Sequence, residues 1–331
     1  MNPPKCDEMD YINFLVAAQN VFSSMEASQT HPAAEQAPAH DAYTRLLKRL
    51  PPDSYALWQE VKPLVDLGKG VLVIDDSTLD KPYASQMALV CRHWSGKHHA
   101  VVQGINLISL VWANRECRLP CDFRLYNKAE DGLSKNDHFQ HMIEQAQQRG
   151  FEPDLVAFDS WYSGLPNLKL LRGLKWHWLS QLKSNREVSI DRSGNRPINK
   201  IFIPLHGCLV HLKGYGWIKV FRTVDKNGDA EYWATSRLDM TIEQAAFYAL
   251  DAWQIEVYHR GLKQFTGVER AQYRLEVSQR NHISLAIRAF VRLEAHRLQT
   301  GVSWFEAKRD IIRSAMRLYL AHPPITLAST A

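Results

Sequence analysis

The stretch "GVLVIDDST", residues Gly70–Thr78, runs four bulky apolar residues straight into two adjacent aspartates. An apolar run of this length bounded by glycine reads as a buried strand. Two chemistries suit such an ending: the carboxylates hold a metal ion, or they simply close the strand in solvent. The stretch alone leaves both open, and leaves open which of Asp75 and Asp76 would act.

Working outward, 331 residues with 45% hydrophobic and 10% aromatic side chains can bury the cores of about two domains. The longest apolar run, "INLISLVWA" at 105–113, is far short of the ~20 residues that span a bilayer, so no membrane segment is expected. The opening "MNPPKCDEMD" lacks a basic segment followed by an apolar one, so no secretory signal is expected either. Five scattered cysteines, Cys6, Cys91, Cys117, Cys121 and Cys208, point to reduced thiols in a cytoplasm. Cys117 and Cys121 lack the second pair that a structural zinc site needs.

The net charge is +5, and its distribution says more than its size. Residues 251–321 hold 12 Lys and Arg against 7 Asp and Glu, leaving 28 of each sign elsewhere. The whole excess therefore lies in the C-terminal part. A basic surface suits a polyanion such as DNA, and a solvated helical face would give a similar count.

Helical patterns at 9–25 and 41–66 flank the Pro- and Ala-rich "SQTHPAAEQAPAH", which reads as an exposed linker. Strand-like runs follow at 71–75, 86–93, 100–112 and 117–125, too closely spaced for crossover helices, so they are expected to be antiparallel hairpins. Ser134 opens a helix to about Arg149, "DLVAFD" reads as a buried strand, 164–173 as a helix and "WHWLSQL" as a further strand. A strand reached through a helical crossover lies parallel to its neighbour, which sets "VLVID" beside "LVAFD" and brings Asp75 or Asp76 to Asp159. Carboxylates so gathered repel unless a cation intervenes, and oxygen ligands favour magnesium or manganese. A third carboxylate is offered by Glu256, in a long helical pattern that begins at the capping box "TIEQ", 241–244. Glu256, Arg260 and Lys263, four and seven residues apart, share a helix face; spacing alone also fits a surface salt-bridge stripe.

Three blocks, "IDDST", "VAFDSWYSG" and "WQIEVYHRGLKQFTGVER", resemble the DDE transposases of bacterial insertion sequences, in the group of insertion sequences 4 and 701. The resemblance spans about Gly70 to Gln299. It implies a ribonuclease-H-like α/β fold: a mixed sheet flanked by helices, a β-rich insertion before the last catalytic helix, and a helical N-terminal unit. The first block takes Asp76 rather than Asp75 as catalytic, the second Asp159, the third Glu256 with Lys263 as the trailing lysine. The insertion sequence 4 signature has Tyr and Arg seven and four residues before the glutamate; this chain has Ala249 and Ala252, with Tyr248 one position off, and so stands closer to the insertion sequence 701 branch.

The domains implied are a helical N-terminal domain, 1–68, that could bind DNA; a catalytic domain, 69–183 with 237–300; a strand insertion, 184–236, built from "INKIFIP", "CLVHLKG", "WIKVFRTV" and "EYWATS"; and a helical tail, 301–331. The chemistry implied is metal-dependent cleavage at the element ends and strand transfer into target DNA, on two Mg2+ or Mn2+ ions held by Asp76, Asp159 and Glu256. Lys263 and Arg260, then His259, Arg270 and Arg274, would contact DNA. The partners implied are terminal inverted repeats, target DNA and a second copy in a homodimer, in a bacterial cytoplasm. A metal-dependent nuclease without strand transfer, and a non-catalytic DNA-binding descendant, remain the alternatives.

Overall fold

The computed structural model describes residues 4–95, 99–224 and 227–323. Residues 1–3 of the expected N-terminal domain, 96–98 of the catalytic domain, 225–226 of the insertion and 324–331 of the tail lie outside the described residues.

Four helices come first: α1 Glu8–Ala17, α2 Ser24–Gln29, α3 His40–Arg49 and α4 Tyr55–Val61. Strands β1 Val71–Asp80, β2 Cys91–Ser95, β3 Ala100–Ala113 and β4 Arg118–Tyr126 follow, then α5 Lys128–Asp131 and α6 Lys135–Gln148. Next are β5 Leu155–Phe158, α7 Leu165–Gly173, β6 Trp178–Leu182, β7 Glu187–Ser189, β8 Arg196–Pro197, β9 Cys208–Leu212, β10 Gly216–Val224 and β11 Ala230–Thr235. The chain continues with α8 Ile242–Ala252, α9 Gln254–Phe265, α10 Glu276–Thr300 and α11 Trp304–Ala321. Local sequence explains several starts: Asp7 with Asp10, Ser134 with Asp137, and Thr241 with Gln244 form capping boxes that satisfy first-turn N–H groups.

The chain divides into two compact units. One comprises Ser54–Ser85 and Leu89–His259; the other comprises Met1–Asp53, Gln86–Ala88 and Arg260–Ala331. The first holds a mixed sheet in the order β2-β3-β1-β5-β6-β11-β10-β9-β7-β8, with β4 also on β3. Strands β1, β5 and β6 are parallel, joined through α6 and α7 as expected for helical crossovers, and β1 is antiparallel to β3. Val71–Ile74 are all buried, because a central strand covered on both faces has no polar side to offer.

Three expectations are corrected. The first strand does not stop at its aspartates: β1 continues to Asp80, paired with β3 down to Gly104. The partner hairpin is long enough to supply ladder bonds beyond the apolar run, so the acids sit within a strand. "INKIFIP" is a 3-10 turn over Ile198–Lys200 rather than a strand, bracketed by Pro197 and Pro204, which lack the N–H a ladder requires. The remaining inserted strands join the main sheet through β11 on β6. The long helix after Thr241 breaks at Trp253, whose N–H closes on Ala249 and Asp251 oxygens.

In the other unit α10 packs with α1, α3 and α11. Polar side chains hold helix ends there: Asn281 Nδ2 donates to the Leu47 and Leu50 carbonyls at 2.8 and 2.9 Å, and Lys308 Nζ to those of Val16 and Ala18 at 2.7 and 2.6 Å. Burial pulls the Lys308 ammonium down to about 8. The buried Glu294 carboxylate accepts two bonds from the Arg297 guanidinium, at 2.8 and 2.9 Å, and one from the Trp304 indole at 2.9 Å. Glu294→Ala removes this shared acceptor and should destabilise the protein by about 3–5 kcal/mol, read as a lower denaturant midpoint; an unchanged midpoint would show that the pair contributes nothing.

Candidate active site

The register Ile74↔Phe158 of the parallel pair β1 and β5 sets Asp159, the first residue past β5, level with Asp75 and next to Asp76. Alternation along β1 turns Asp75 and Asp76 to opposite faces, and their surroundings differ accordingly. Asp76 Oδ2 accepts from Lys135 Nζ and Asn106 Nδ2, each at 2.7 Å, and Oδ1 from the Tyr162 hydroxyl at 3.0 Å. Burial pushes the Asp76 carboxyl up, but the Lys135 charge and these hydrogen bonds outweigh it, leaving it below its ordinary range. Asp75 goes the other way: burial, then the charges of Asp76, Asp159 and Glu256, hold its carboxyl well above the ordinary value. Asp159 is raised by burial and by Asp76, against backbone N–H donation from Trp161, at 2.9 Å, and from Tyr162.

Glu256 reaches this cluster because α8 lies on β1, β5 and β6 and α9 begins directly after the break at Trp253. Its exposed carboxylate acts on Asp75. All four acids belong to one compact unit, which α9 leaves at Arg260. Among the described residues no group of three acid, histidine or cysteine side chains is placed to hold a metal ion; carboxylates brought near one another without a cation repel. Carboxylate oxygens, as a donor type, suit a hard divalent cation.

Of the five residues expected on DNA, Arg260, Arg270 and Arg274 are exposed. Lys263 pairs with Glu269 at 3.3 Å, and His259 is buried, 5% exposed. Sequence reasoning missed Asn106, Lys135 and Tyr162. Asn106 carried a usable signal, a lone amide inside an apolar strand; Lys135, at the start of α6, carried none, because only the crossover brings it to Asp76. The cysteines are all free, and no described helix is long and apolar enough to cross a membrane.

A model of the DDE superfamily endonucleases matches residues 33–198, half of the chain, including both aspartate blocks. The chain belongs to the DDE superfamily of endonucleases. A second model, of the archaeal transposase family ISC1217, matches residues 133–304 and takes in Asp159 and Glu256. Among solved structures, this DDE protein is similar to the piggyBac transposase in its synaptic complex with hairpin DNA: TM-score 0.54 at 13% identity, over 98% of this chain and 74% of that one. At that identity the likeness is one of fold, and it agrees with the ribonuclease-H-like mixed sheet. No curated protein matches the chain.

Proposed function

We propose that the protein is a transposase that cleaves DNA at the ends of its mobile element and joins them to target DNA, with Asp76, Asp159 and Glu256 as the catalytic acids. The observation that carries this reading is the gathering of Asp75, Asp76, Asp159 and Glu256 within one unit of a DDE endonuclease. Asp76, Asp159 and Glu256 would hold two Mg2+ or Mn2+ ions, which supply Lewis acidity and lower the pKa of an attacking water or 3′-hydroxyl. Lys135, Asn106 and Tyr162 hold the Asp76 carboxylate in one orientation and keep it ionised. Tyr162, raised well above its ordinary value by burial and by Asp76, stays a hydrogen-bond donor at neutral pH. Both strand cleavage and joining displace an oxygen at phosphorus, so the chain needs no covalent nucleophile.

The test is incubation of the full chain with the element's terminal inverted repeats, a target plasmid and magnesium. Cleaved ends covalently joined to the plasmid support transposition; cleaved ends that never join would reduce the protein to a nuclease. Working on two ends calls for a second copy, so a dimer on DNA is part of the proposal, as is the division into an N-terminal domain, 1–68, a catalytic domain, a strand insertion and a tail.

Arg260, Lys263, His259, Arg270 and Arg274 are proposed to contact DNA. Each phosphate contact steepens the slope of log K against log salt by about 0.9 on duplex DNA. Lys263→Ala should flatten the slope by about one unit with little change in sequence preference. An unaltered slope would mean that its ion pair with Glu269 is its whole role.

A further inference from the structure

Beside the carboxylates, an open groove of about 690 Å³ is lined by Trp161, Gly164, Lys183, Arg186, Glu187 and Lys213, among others. Its aromatic member is out of place in water: Trp161 is 57% exposed, although its backbone N–H donates to the Asp159 carboxylate. Lys135 and Lys183 each carry their ammonium close to the indole, at 5.7 and 5.5 Å from the ring centre, within cation–π range. Because Lys135 also pairs with Asp76 at 2.7 Å, the ring stands one side chain from the proposed reaction centre.

The groove carries an excess of positive charge, Lys183, Arg186 and Lys213 against Glu187. Arg186 is part-buried, has no ion pair among the described residues, and has its guanidinium pKa lowered by burial alone. A cation withdrawn from water without a partner is costly unless an anion arrives. Helix α7 also starts here, with Gly164 as an N-cap that offers no side chain to its first N–H groups. A groove of this volume is in the range of small-ligand sites, and only an unpaired base has a free face for an indole.

We propose that the groove holds a single DNA strand leaving the carboxylate cluster, with an unpaired base stacked on Trp161 and the phosphates beyond it held by Lys183, Arg186 and Lys213. This rests on the transposase reading for its biological substrate, and names the DNA form that the site takes.

The test is equilibrium binding by the full chain, in chelator so that nothing is cut, of a short single-stranded oligothymidylate and, separately, of a random-sequence duplex. Trp161→Ala should weaken oligothymidylate binding about tenfold, and Trp161→Phe should stay within about threefold of wild type, since a phenyl ring still stacks. Duplex binding should change by less than about twofold in both. Lys183→Ala with Arg186→Ala should flatten the single-strand salt slope by about 0.7 for each cation removed. Full oligothymidylate binding by Trp161→Ala, equal weakening by the phenylalanine variant, or a parallel loss of duplex binding would each overturn the proposal. Cleavage of terminal repeats by wild type in magnesium is scored separately: its absence would remove the transposase reading while the binding comparison still decided the groove.

Discussion

Asp76→Asn, Asp159→Asn and Glu256→Gln, made one at a time, should each reduce DNA cleavage by at least about a thousandfold, or about 4 kcal/mol of lost transition-state stabilisation, while DNA binding persists through contacts elsewhere. Amide substitutions keep the size of each side chain, so circular dichroism and thermal melting should show the fold intact, with a small loss at Asp76, where Lys135 loses its charge partner. Asp75→Asn is the informative companion. It should cut activity far less, and it should raise the melting temperature of the metal-free protein, because a neutral amide relieves the repulsion from Asp76, Asp159 and Glu256. If Asp75→Asn abolishes cleavage and Asp76→Asn leaves it, the metal-holding role on β1 belongs to Asp75, the residue level with Asp159.

Removal of divalent cations should be equally severe. Cleavage should vanish in excess chelator, return with magnesium or manganese, and stay low in calcium, whose loose coordination positions a nucleophile poorly while still permitting DNA binding. Activity that persists in chelator would end the metal-dependent mechanism. The same carboxylates predict a pH effect on the metal-free protein. Asp75 and Asp159 are raised above the ordinary 3.8, so their ionised forms oppose folding, and stability is lost as pH rises from about that value through the raised ones. A bound cation reverses the repulsion. The rise in melting temperature produced by magnesium or manganese should therefore be larger at pH 8 than at pH 5, and equal shifts at both would mean that these acids do not hold the ion.

Much of the arrangement behind these expectations was legible before any coordinates. The run Val71–Ile74, the helical crossover from Ser134 and the run Leu155–Phe158 predict a parallel pair ending in acids, because hydrophobic periodicity and the handedness of crossovers are local and topological rules that sequence carries directly. The capping boxes at Ser134 and Thr241 were equally readable, since each satisfies backbone N–H groups within one turn. Family blocks then singled out Asp76, Asp159 and Glu256, which spacing could not do.

Tertiary structure alone decided the environment of each acid. The length of β1 depends on how far β3 runs alongside it, a pairing between segments some thirty residues apart, so the sequence of β1 could not reveal that its aspartates lie inside the strand. The opposite pKa shifts of two neighbouring aspartates follow from what each meets: Asp76 receives Lys135, Asn106 and Tyr162, whereas Asp75 is buried among the charges of Asp76, Asp159 and Glu256. The same holds for Trp161, which in the sequence is only a residue of the block "VAFDSWYSG" and which the fold brings near both Lys135 and Lys183. Electrostatic energy depends on distance through space, and those distances are set by packing among distant segments rather than by order along the chain.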